Sequence, residues 1–288
     1  MKRGKYTKKK KRTPIWYSAL ILLLAGIFCG CIWYLADYFL GSRQQAGEYE
    51  NLAAMVEAVR GTAPTVPATD ANGETIPNDG DFDMFAPSPV EDIRNEDGIL
   101  LEYAELYAMN PDMAGWLTIE GTKINYPVMH TPGRPDYYLK RNFSGAYSSW
   151  GCIYAREECD LEEPSDNVTL YGHNMKDGSM FAGLNAYTDR EFWEKHRYIR
   201  FDTLTEHHTY AIFAVFTTTA SEGQGFAYHD FISADDAQAF DTFIAKCLSN
   251  SLYGTDLVPE YGDKILCLST CEYSQTNGRL VVAAVRID

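Results

Sequence analysis

The C-terminal stretch of the chain places a thiol and a guanidinium between two apolar segments. The short apolar run Ile265–Leu268 predicts a buried strand, and Cys271 follows it. The β-branched run Leu280–Val285 predicts a second strand, which starts next to Arg279. The link Glu272–Gly278 contains Ser, Asn and Gly, which are turn residues. The pattern therefore predicts a hairpin that holds a nucleophile beside a fixed positive charge.

A histidine suited to proton transfer follows another apolar segment. Val168–Tyr171 predicts a strand, and Gly172–Asn174 predicts the turn that ends it. A free thiol has a pKa of about 8.5 and is mostly protonated at neutral pH, so Cys271 needs a neighbour to become a thiolate. An imidazole such as His173 can protonate a leaving amine, and a guanidinium such as Arg279 can stabilise an oxyanion. These three side chains therefore have complementary roles for acyl transfer.

Four motifs in the second half of the chain occur in a characteristic order. They are Asn110–Val128 (NPDMAGWLTIEGTKINYPV), Tyr171–Met175 (YGHNM), Leu268–Cys271 (LSTC) and Gly278–Val282 (GRLVV). With these motifs the sequence resembles the sortases, most closely those of class B, over about Leu100–Asp288. The resemblance implies that Cys271 is the nucleophile, His173 the acid and base, and Arg279 the group that binds the oxyanion or substrate.

The resemblance also implies a reaction and its partners. A class B sortase cleaves a C-terminal sorting motif of the Asn-Pro-x-Thr-x type after Thr and holds the acyl group as a thioester, here on Cys271. An amine of a peptidoglycan precursor or of a pilin then resolves the thioester. The implied partners are surface or pilin proteins with a sorting signal, the acceptor amine and, through an anchor, the lipid bilayer. No cofactor and no metal are expected.

Weaker candidates lie beside the three main residues. Ser269 and Thr270 precede the thiol, and their hydroxyls either contact substrate or simply end the strand. Glu272 either orients His173 or Arg279 or is a solvated surface acid. Asn174 follows the histidine, and a scaffolding role is its alternative to substrate binding.

The N-terminus has the features of a membrane anchor. The first twelve residues contain eight Lys or Arg and no acid, and Ile15–Ala36 contains no charge. As a helix, this segment would span about 33 Å, enough for a hydrocarbon core of about 30 Å. A cleaved signal peptide is the alternative, but its apolar core is shorter, about 7–15 residues. We therefore predict a cytoplasmic tail at residues 1–14, a single transmembrane helix at 15–36, and an extracellular remainder.

The remainder is acidic and divides into two parts. Without the eight N-terminal positive charges, the net charge of −15 becomes −23 for residues 13–288, which argues against nucleic-acid binding. Residues 37–97 are predicted to form a stalk, in which Gln44–Arg60 can be helical and Gly61–Pro89 is a Pro-, Thr- and Asp-rich spacer. Residues 98–288 form the predicted catalytic domain.

The pattern of apolar segments in the catalytic domain predicts a mostly β fold. Besides the hairpin, the predicted strands are Trp116–Ile119, Tyr126–Met129, Gly151–Ala155, Val168–Tyr171, Tyr198–Asp202 and Thr209–Thr217. The predicted helices are Leu100–Met109, Ser179–Ala186, Asp189–His196 and Asp235–Leu248. The resemblance specifies a sortase-type closed β-barrel with an N-terminal helix and an additional long helix before the catalytic Cys strand.

The cysteines and the remaining histidines suggest no further site. Five of the seven cysteines follow the membrane segment, and an odd number is consistent with at least one free thiol. The sequence leaves open whether Cys152 forms a disulfide with Cys159, or Cys247 with Cys267, although no structural disulfide is expected. The adjacent pair His207–His208 would point to opposite faces of a strand, which disfavours a metal site.

Two other functions compete with the transpeptidase. A cysteine peptidase that uses water as the acceptor would need the same residues, although papain-like enzymes place Cys before His in the chain. A sortase-like surface binding module without activity would have the same anchor and stalk. The intact set Cys271, His173 and Arg279 favours an enzyme, because a binding module does not need it.

Overall fold

The computed structural model describes residues 15–61, 93–221, 223–272 and 277–288. The chain divides into two compact units, of which the first ends at Gly47 and the second is Glu48–Asp288. The predicted tail at residues 1–14 and almost all of the predicted spacer lie outside the described residues. The stalk boundaries at residues 37 and 97 stay predictions.

Helix α1, Ile15–Arg60, contains the apolar segment. Its large apolar side chains in the first unit, such as Leu22, Phe28 and Trp33, are exposed. From Ala19 onward, this helix is long and apolar enough to cross a membrane. The structure thus has the apolar N-terminal helix that the sequence predicts, as a candidate membrane span.

In the described part of the second unit, eight strands close into a barrel. They are β1 Met113–Thr118, β2 Asn125–Met129, β3 Ile153–Ala155, β4 Asn167–Tyr171, β5 Tyr198–Thr203, β6 Thr209–Thr219, β7 Ile265–Glu272 and β8 Gly278–Arg286. Their order is β1-β2-β3-β4-β7-β8-β6-β5, and the pairing of β1 with β5 closes the barrel. The pairs β2–β3 and β4–β7 are parallel, and the other pairs are antiparallel. The predicted closed β-barrel is confirmed.

Short helices surround the barrel. They are α2 Leu101–Met109, α3 Arg190–Lys195, α4 Ala237–Asn250 and the 3-10 helices Tyr137–Lys140, Phe181–Thr188 and Tyr228–Asp230. The predicted helices before β1 and before β7 are therefore present as α2 and α4. The predicted helix Ser179–Ala186 is instead the 3-10 helix Phe181–Thr188.

Helix α4 covers the outer face of the barrel. Asp236 caps its N-terminus by accepting a hydrogen bond from the backbone N–H of Ala239, at 2.8 Å. Its apolar stripe, which includes Phe240 and Phe243, belongs to one buried cluster with Cys267 of β7. Because strand side chains alternate between faces, the residues of β7 at odd positions share the face that α4 covers.

A buried network of charged groups joins the end of α1 to β5 within the second unit. Asp202 is fully buried and accepts hydrogen bonds from the Tyr103 hydroxyl at 2.6 Å and from Nη2 of Arg60 at 3.0 Å. Nδ1 of His207 lies 3.1 Å from Oδ2 of Asp202, and its Nε2 lies 3.4 Å from Oε1 of Glu102. Paired charges therefore fix the last turn of α1 to the barrel.

The network shifts the pKa values of its members in opposite directions. Burial alone would raise the pKa of Asp202, but the hydrogen bonds and charges of His207, Tyr103 and Arg60 outweigh it and lower that pKa. Burial alone would lower the pKa of His207, but its hydrogen bond to Asp202 and the nearby carboxylates raise it. The stabilisation from Asp202 is therefore lost as pH falls through its lowered pKa, and that from His207 is lost as pH rises through its raised pKa.

We expect Asp202→Asn to lower the free energy of unfolding by about 3–5 kcal/mol, because it removes the central counter-charge of a buried cluster. Urea denaturation of the full chain in detergent micelles measures this change. Glu206→Gln is the matched control, since the Glu206 carboxylate is exposed and its loss should change the free energy of unfolding by less than about 0.5 kcal/mol. Equal free energies of unfolding for the two variants would contradict a stabilising role of the network.

Candidate active site

The pairing of β7 with β8 places the thiol and the guanidinium next to each other. Cys271 is directly opposite Arg279 in this antiparallel pair. Directly opposite residues have side chains on the same face of the sheet, with Cβ atoms about 4.5–5.5 Å apart. The hairpin that the sequence predicts thus forms with the two chemical groups side by side.

The parallel pairing of β4 with β7 places the histidine at the same edge. The last pair of the register is Tyr171 with Ser269, so His173 lies two residues beyond the end of β4, at the edge where Cys271 lies two residues beyond Ser269. Two further bonds fix the junction: the N–H of Gly172 donates to the carbonyl of Ser269 at 3.2 Å, and Thr270 Oγ1 donates to the carbonyl of Gly172 at 2.8 Å. Three neighbouring strand ends therefore carry His173, Cys271 and Arg279 in that order.

A backbone carbonyl holds the imidazole of His173. Nε2 lies 2.7 Å from the carbonyl oxygen of Leu139. A carbonyl oxygen can only accept, so Nε2 carries the proton in this hydrogen bond, and Nδ1 is the nitrogen left to exchange protons. The carbonyl of His173 itself accepts a hydrogen bond from the N–H of Phe181 at 2.9 Å. Both the ring and the backbone of this residue are thus fixed.

The Cys271 thiol differs from the other thiols of the second unit in its access to solvent. Cys152, Cys159, Cys247 and Cys267 are buried, whereas Cys271 is partly exposed. Burial raises the pKa of Cys152 to about 12 and also raises the pKa of Cys267 well above its ordinary value. Those thiols stay protonated and shielded, so Cys271 is the one thiol of Glu48–Asp288 that is placed to act as a nucleophile.

The guanidinium of Arg279 lies over its own turn. Its Nη1 donates to the carbonyl of Gly278 at 3.0 Å and to that of Asn277 at 3.3 Å. Asn277 has a left-handed backbone with φ of 54°, a conformation that Asn tolerates better than most residues. Asn277 and Gly278 therefore hold the guanidinium of Arg279 at the start of β8, and Arg279 is paired with Cys271.

The weaker candidates have defined partners in the structure. Ser269 Oγ lies 2.5 Å from the hydroxyl of Tyr228, and Thr270 points to the opposite face of β7 from Cys271. The amide of Asn174 donates to the carbonyl of Cys271 at 2.8 Å. The side chain of Glu272 lies outside the described residues. A contact of any of these four with substrate stays a prediction.

Some groups of this site were not found by sequence reasoning. They are the Leu139 carbonyl that holds His173, the Tyr228 hydroxyl beside Ser269, and Asn185, which pairs with Asn174. Leu139 and Tyr228 are more than thirty residues from their partners. No local pattern marks such distant residues, because only the barrel topology brings them to the site.

The described residues contain no group of three or more His, Cys, Asp or Glu that could hold a metal ion. The two adjacent histidines have separate partners: His207 contacts Asp202, while His208 lies 3.4 Å from both Glu206 and Asp288.

Comparison with known proteins agrees with the geometry. The sortase domain family matches residues 117–287. Sortase B of Listeria monocytogenes is 33% identical over 183 residues, which are 63% of this chain and 72% of that protein. Sortase B of Staphylococcus aureus is 30% identical over 193 residues, which are 66% of this chain and 77% of that protein.

A solved structure has the same fold. The crystal structure of sortase B from B. anthracis in complex with AAEK2 covers 85% of this chain and 97% of its own, with 29% identity and a TM-score of 0.66. The family match spans more than half of the chain, and the relatives and the solved structure are all sortase B proteins. The chain therefore belongs to the sortase family, as a class B sortase, which is a cysteine transpeptidase.

Proposed function

We propose that this sortase cleaves an Asn-Pro-x-Thr-x sorting motif after Thr, holds the acyl group on Cys271, and transfers it to an amine of the cell wall or of a pilin. The observation that supports this proposal most is the row of His173, Cys271 and Arg279 on three neighbouring strand ends. A nucleophile, a proton carrier and a fixed positive charge are the groups that acyl transfer needs.

In the first half-reaction, the Cys271 thiolate attacks the carbonyl carbon of the Thr residue. A bond forms between Sγ and this carbon, and the negative charge that develops on the oxygen is stabilised by Arg279. The C–N bond then breaks, and protonated His173 gives a proton to the leaving amine. The products are a thioester on Cys271 and a free C-terminal fragment with a new amino group.

In the second half-reaction, an acceptor amine attacks the thioester carbon. The new C–N bond forms as the C–S bond breaks, Cys271 leaves as a thiolate, and His173 accepts a proton from the amine. The enzyme returns to its starting protonation state. Water in place of the amine would give hydrolysis by the same steps, which is the peptidase alternative.

The N-terminal segment suggests where the reaction takes place. We infer that the apolar part of α1 is a single membrane anchor, with the basic tail in the cytoplasm and the catalytic unit outside the cell. The excess of Lys and Arg before the apolar segment supports this orientation. On this proposal, residues 37–97 connect the anchor to the catalytic domain at 98–288.

Peptide substrates test the proposed specificity. The full chain in detergent micelles is incubated with quenched peptides that contain Asn-Pro-x-Thr-x or Leu-Pro-x-Thr-x, with and without oligoglycine or diaminopimelate-type amines. We expect cleavage after Thr and a ligated product, with kcat/KM at least about tenfold higher for the Asn-Pro peptide, since contacts to the motif act in the transition state. Mass spectrometry identifies the thioester and the products.

The other outcomes separate the alternatives. Hydrolysis without ligation, whichever amine is added, would favour the cysteine peptidase. Preference for the Leu-Pro peptide would contradict the proposed motif class but not the reaction. Absence of a thioester with every peptide, together with a Cys271 thiol that resists alkylation, would favour a binding module.

A further inference from the structure

The ladder between β4 and β7 ends just before the catalytic histidine. In the described residues, the last backbone hydrogen bond between these two segments runs from the N–H of Gly172 to the carbonyl of Ser269, at 3.2 Å. In a parallel pair, alternate residues continue the ladder, so the next donor should be the backbone N–H of residue 174, and its acceptor the carbonyl of Cys271. The chain instead turns away from the sheet, and the carbonyl of His173 accepts from the N–H of Phe181.

At this position the side chain of Asn174 supplies a donor. Its Nδ2 donates to the carbonyl of Cys271 at 2.8 Å. The ladder therefore continues by one more bond, made by a side chain, beyond the end of β4. This bond links the residue after His173 directly to the nucleophile residue.

A second amide orients the first. Asn185 Nδ2 donates to Asn174 Oδ1 at 3.0 Å and to the carbonyl of Ala182 at 3.0 Å. An amide oxygen accepts and an amide nitrogen donates, so with Oδ1 of Asn174 bound to Asn185, Nδ2 faces Cys271. The 3-10 helix Phe181–Thr188, which carries Asn185, thus takes part in positioning the nucleophile strand.

We propose that Asn174 is a positioning residue for the sortase reaction, and that Asn185 orients it. Asn174 acts through Cys271 and His173, because its amide contacts the backbone of the nucleophile and not the thiol. The bond holds the thiol and the imidazole at a constant separation during proton transfer and attack. This inference rests on the proposed roles of Cys271 and His173, but one of its tests needs no substrate.

The test compares Asn174→Ala, Asn174→Asp and Asn174→Gln with wild type in the full chain in detergent micelles. The rate of iodoacetamide alkylation at Cys271, measured by peptide mass spectrometry, reports on the thiol without any peptide substrate. We expect Asn174→Ala to lower kcat for peptide ligation by about ten- to hundredfold with KM changed less than about twofold, and to slow alkylation. Asn174→Gln keeps the donor and should recover part of both losses.

The Asp variant gives a signature that a structural role would not produce. In Asn174→Asp, an ionised carboxylate faces the carbonyl oxygen of Cys271, and the two oxygens repel each other. When the carboxyl group is protonated, it can donate a hydrogen bond to this carbonyl in place of the Asn174 amide. We therefore expect the activity of Asn174→Asp relative to wild type to rise as pH falls from about 8 to about 5, toward the ordinary pKa of Asp. Asn250→Ala is the matched control, because the Asn250 amide donates within its own helix to Lys246, and its activity should equal that of wild type.

Three outcomes would overturn the proposal. The first is a wild-type kcat and a wild-type alkylation rate in Asn174→Ala. The second is an equal loss of kcat and of alkylation rate in Asn174→Ala and Asn174→Gln. The third is an activity of Asn174→Asp, relative to wild type, that does not change with pH. If wild type is alkylated at Cys271 but ligates no peptide, the proposed function fails, while the alkylation rates still decide the role of Asn174.

Discussion

Cys271→Ala is expected to abolish both thioester formation and ligation, with a loss of kcat on the order of 10⁶-fold. The physical reason is that the covalent step needs a nucleophile at the end of β7, opposite Arg279 and at the edge where His173 follows β4. The other thiols of the second unit are buried and cannot replace it. Intact-mass spectrometry of the enzyme with its peptide measures the thioester, and product analysis measures ligation.

Cys267→Ala is the matched control for this prediction. Cys267 is on the same strand and the same face, four residues before Cys271, but it is fully buried under α4. Its removal should cost some stability and leave ligation intact, since a buried cysteine acts as a small apolar side chain. A thioester formed by Cys271→Ala, or an equal loss of ligation in both variants, would show that Cys271 is not the nucleophile.

The parts of the fold that depend on local patterns were predictable from the sequence. The two apolar runs around Cys271 and Arg279 are β7 and β8, and residues 273–276 of the predicted turn between them lie outside the described residues. The amphipathic stripe of α4 is visible in the spacing of Ala239, Phe240, Phe243, Ile244 and Cys247, of which Ala239 is half-buried and the other four are buried. Local propensity and the alternation of apolar residues determine such elements.

The parts that depend on long-range pairing were not predictable in this way. The parallel pairing of β4 with β7 joins segments about a hundred residues apart, such as Tyr171 and Ser269, and no local pattern specifies its register. The same pairing places His173, two residues after Tyr171, at the barrel edge that carries Cys271. Sequence patterns without a known family would therefore have suggested the chemistry but not the arrangement of the three groups.

The polar contacts around the site were also not predictable from local sequence patterns. Ser269 and Thr270 look alike beside the thiol in the sequence, yet one points to the face of Cys271 and the other to the opposite face. Asn174 follows the histidine, and its amide donates to the carbonyl of Cys271, a partner that no local pattern marks. Their partners, Tyr228, Gly172 and Cys271, lie 41, 98 and 97 residues away along the chain.

His173→Gln is expected to lower kcat for ligation by about 10²–10⁴-fold, with little change in KM. Glutamine can keep an N–H donor near the carbonyl of Leu139, which now accepts from Nε2 of the imidazole at 2.7 Å. It removes only the nitrogen that exchanges protons. The pH dependence of kcat/KM should therefore lose the limb that His173 contributes, while the unfolding temperature stays near that of wild type. His173→Ala, in contrast, also leaves the Leu139 carbonyl without this donor and should lower the unfolding temperature.

A change of leaving group separates the acid role of His173 from a role in placing the substrate. An amide must be protonated on nitrogen as its C–N bond breaks, whereas an ester at the same position leaves as an alcohol and depends less on the acid. Replacing the amide by an ester should therefore raise the acylation rate of both enzymes. We expect the factor of increase to be at least about tenfold larger for His173→Gln than for wild type. The rate of thioester formation in rapid-quench experiments measures this difference. An equal gain in both enzymes would show that His173 does not protonate the leaving group. A wild-type rate in His173→Gln with the amide substrate would exclude any role of its imidazole in proton transfer.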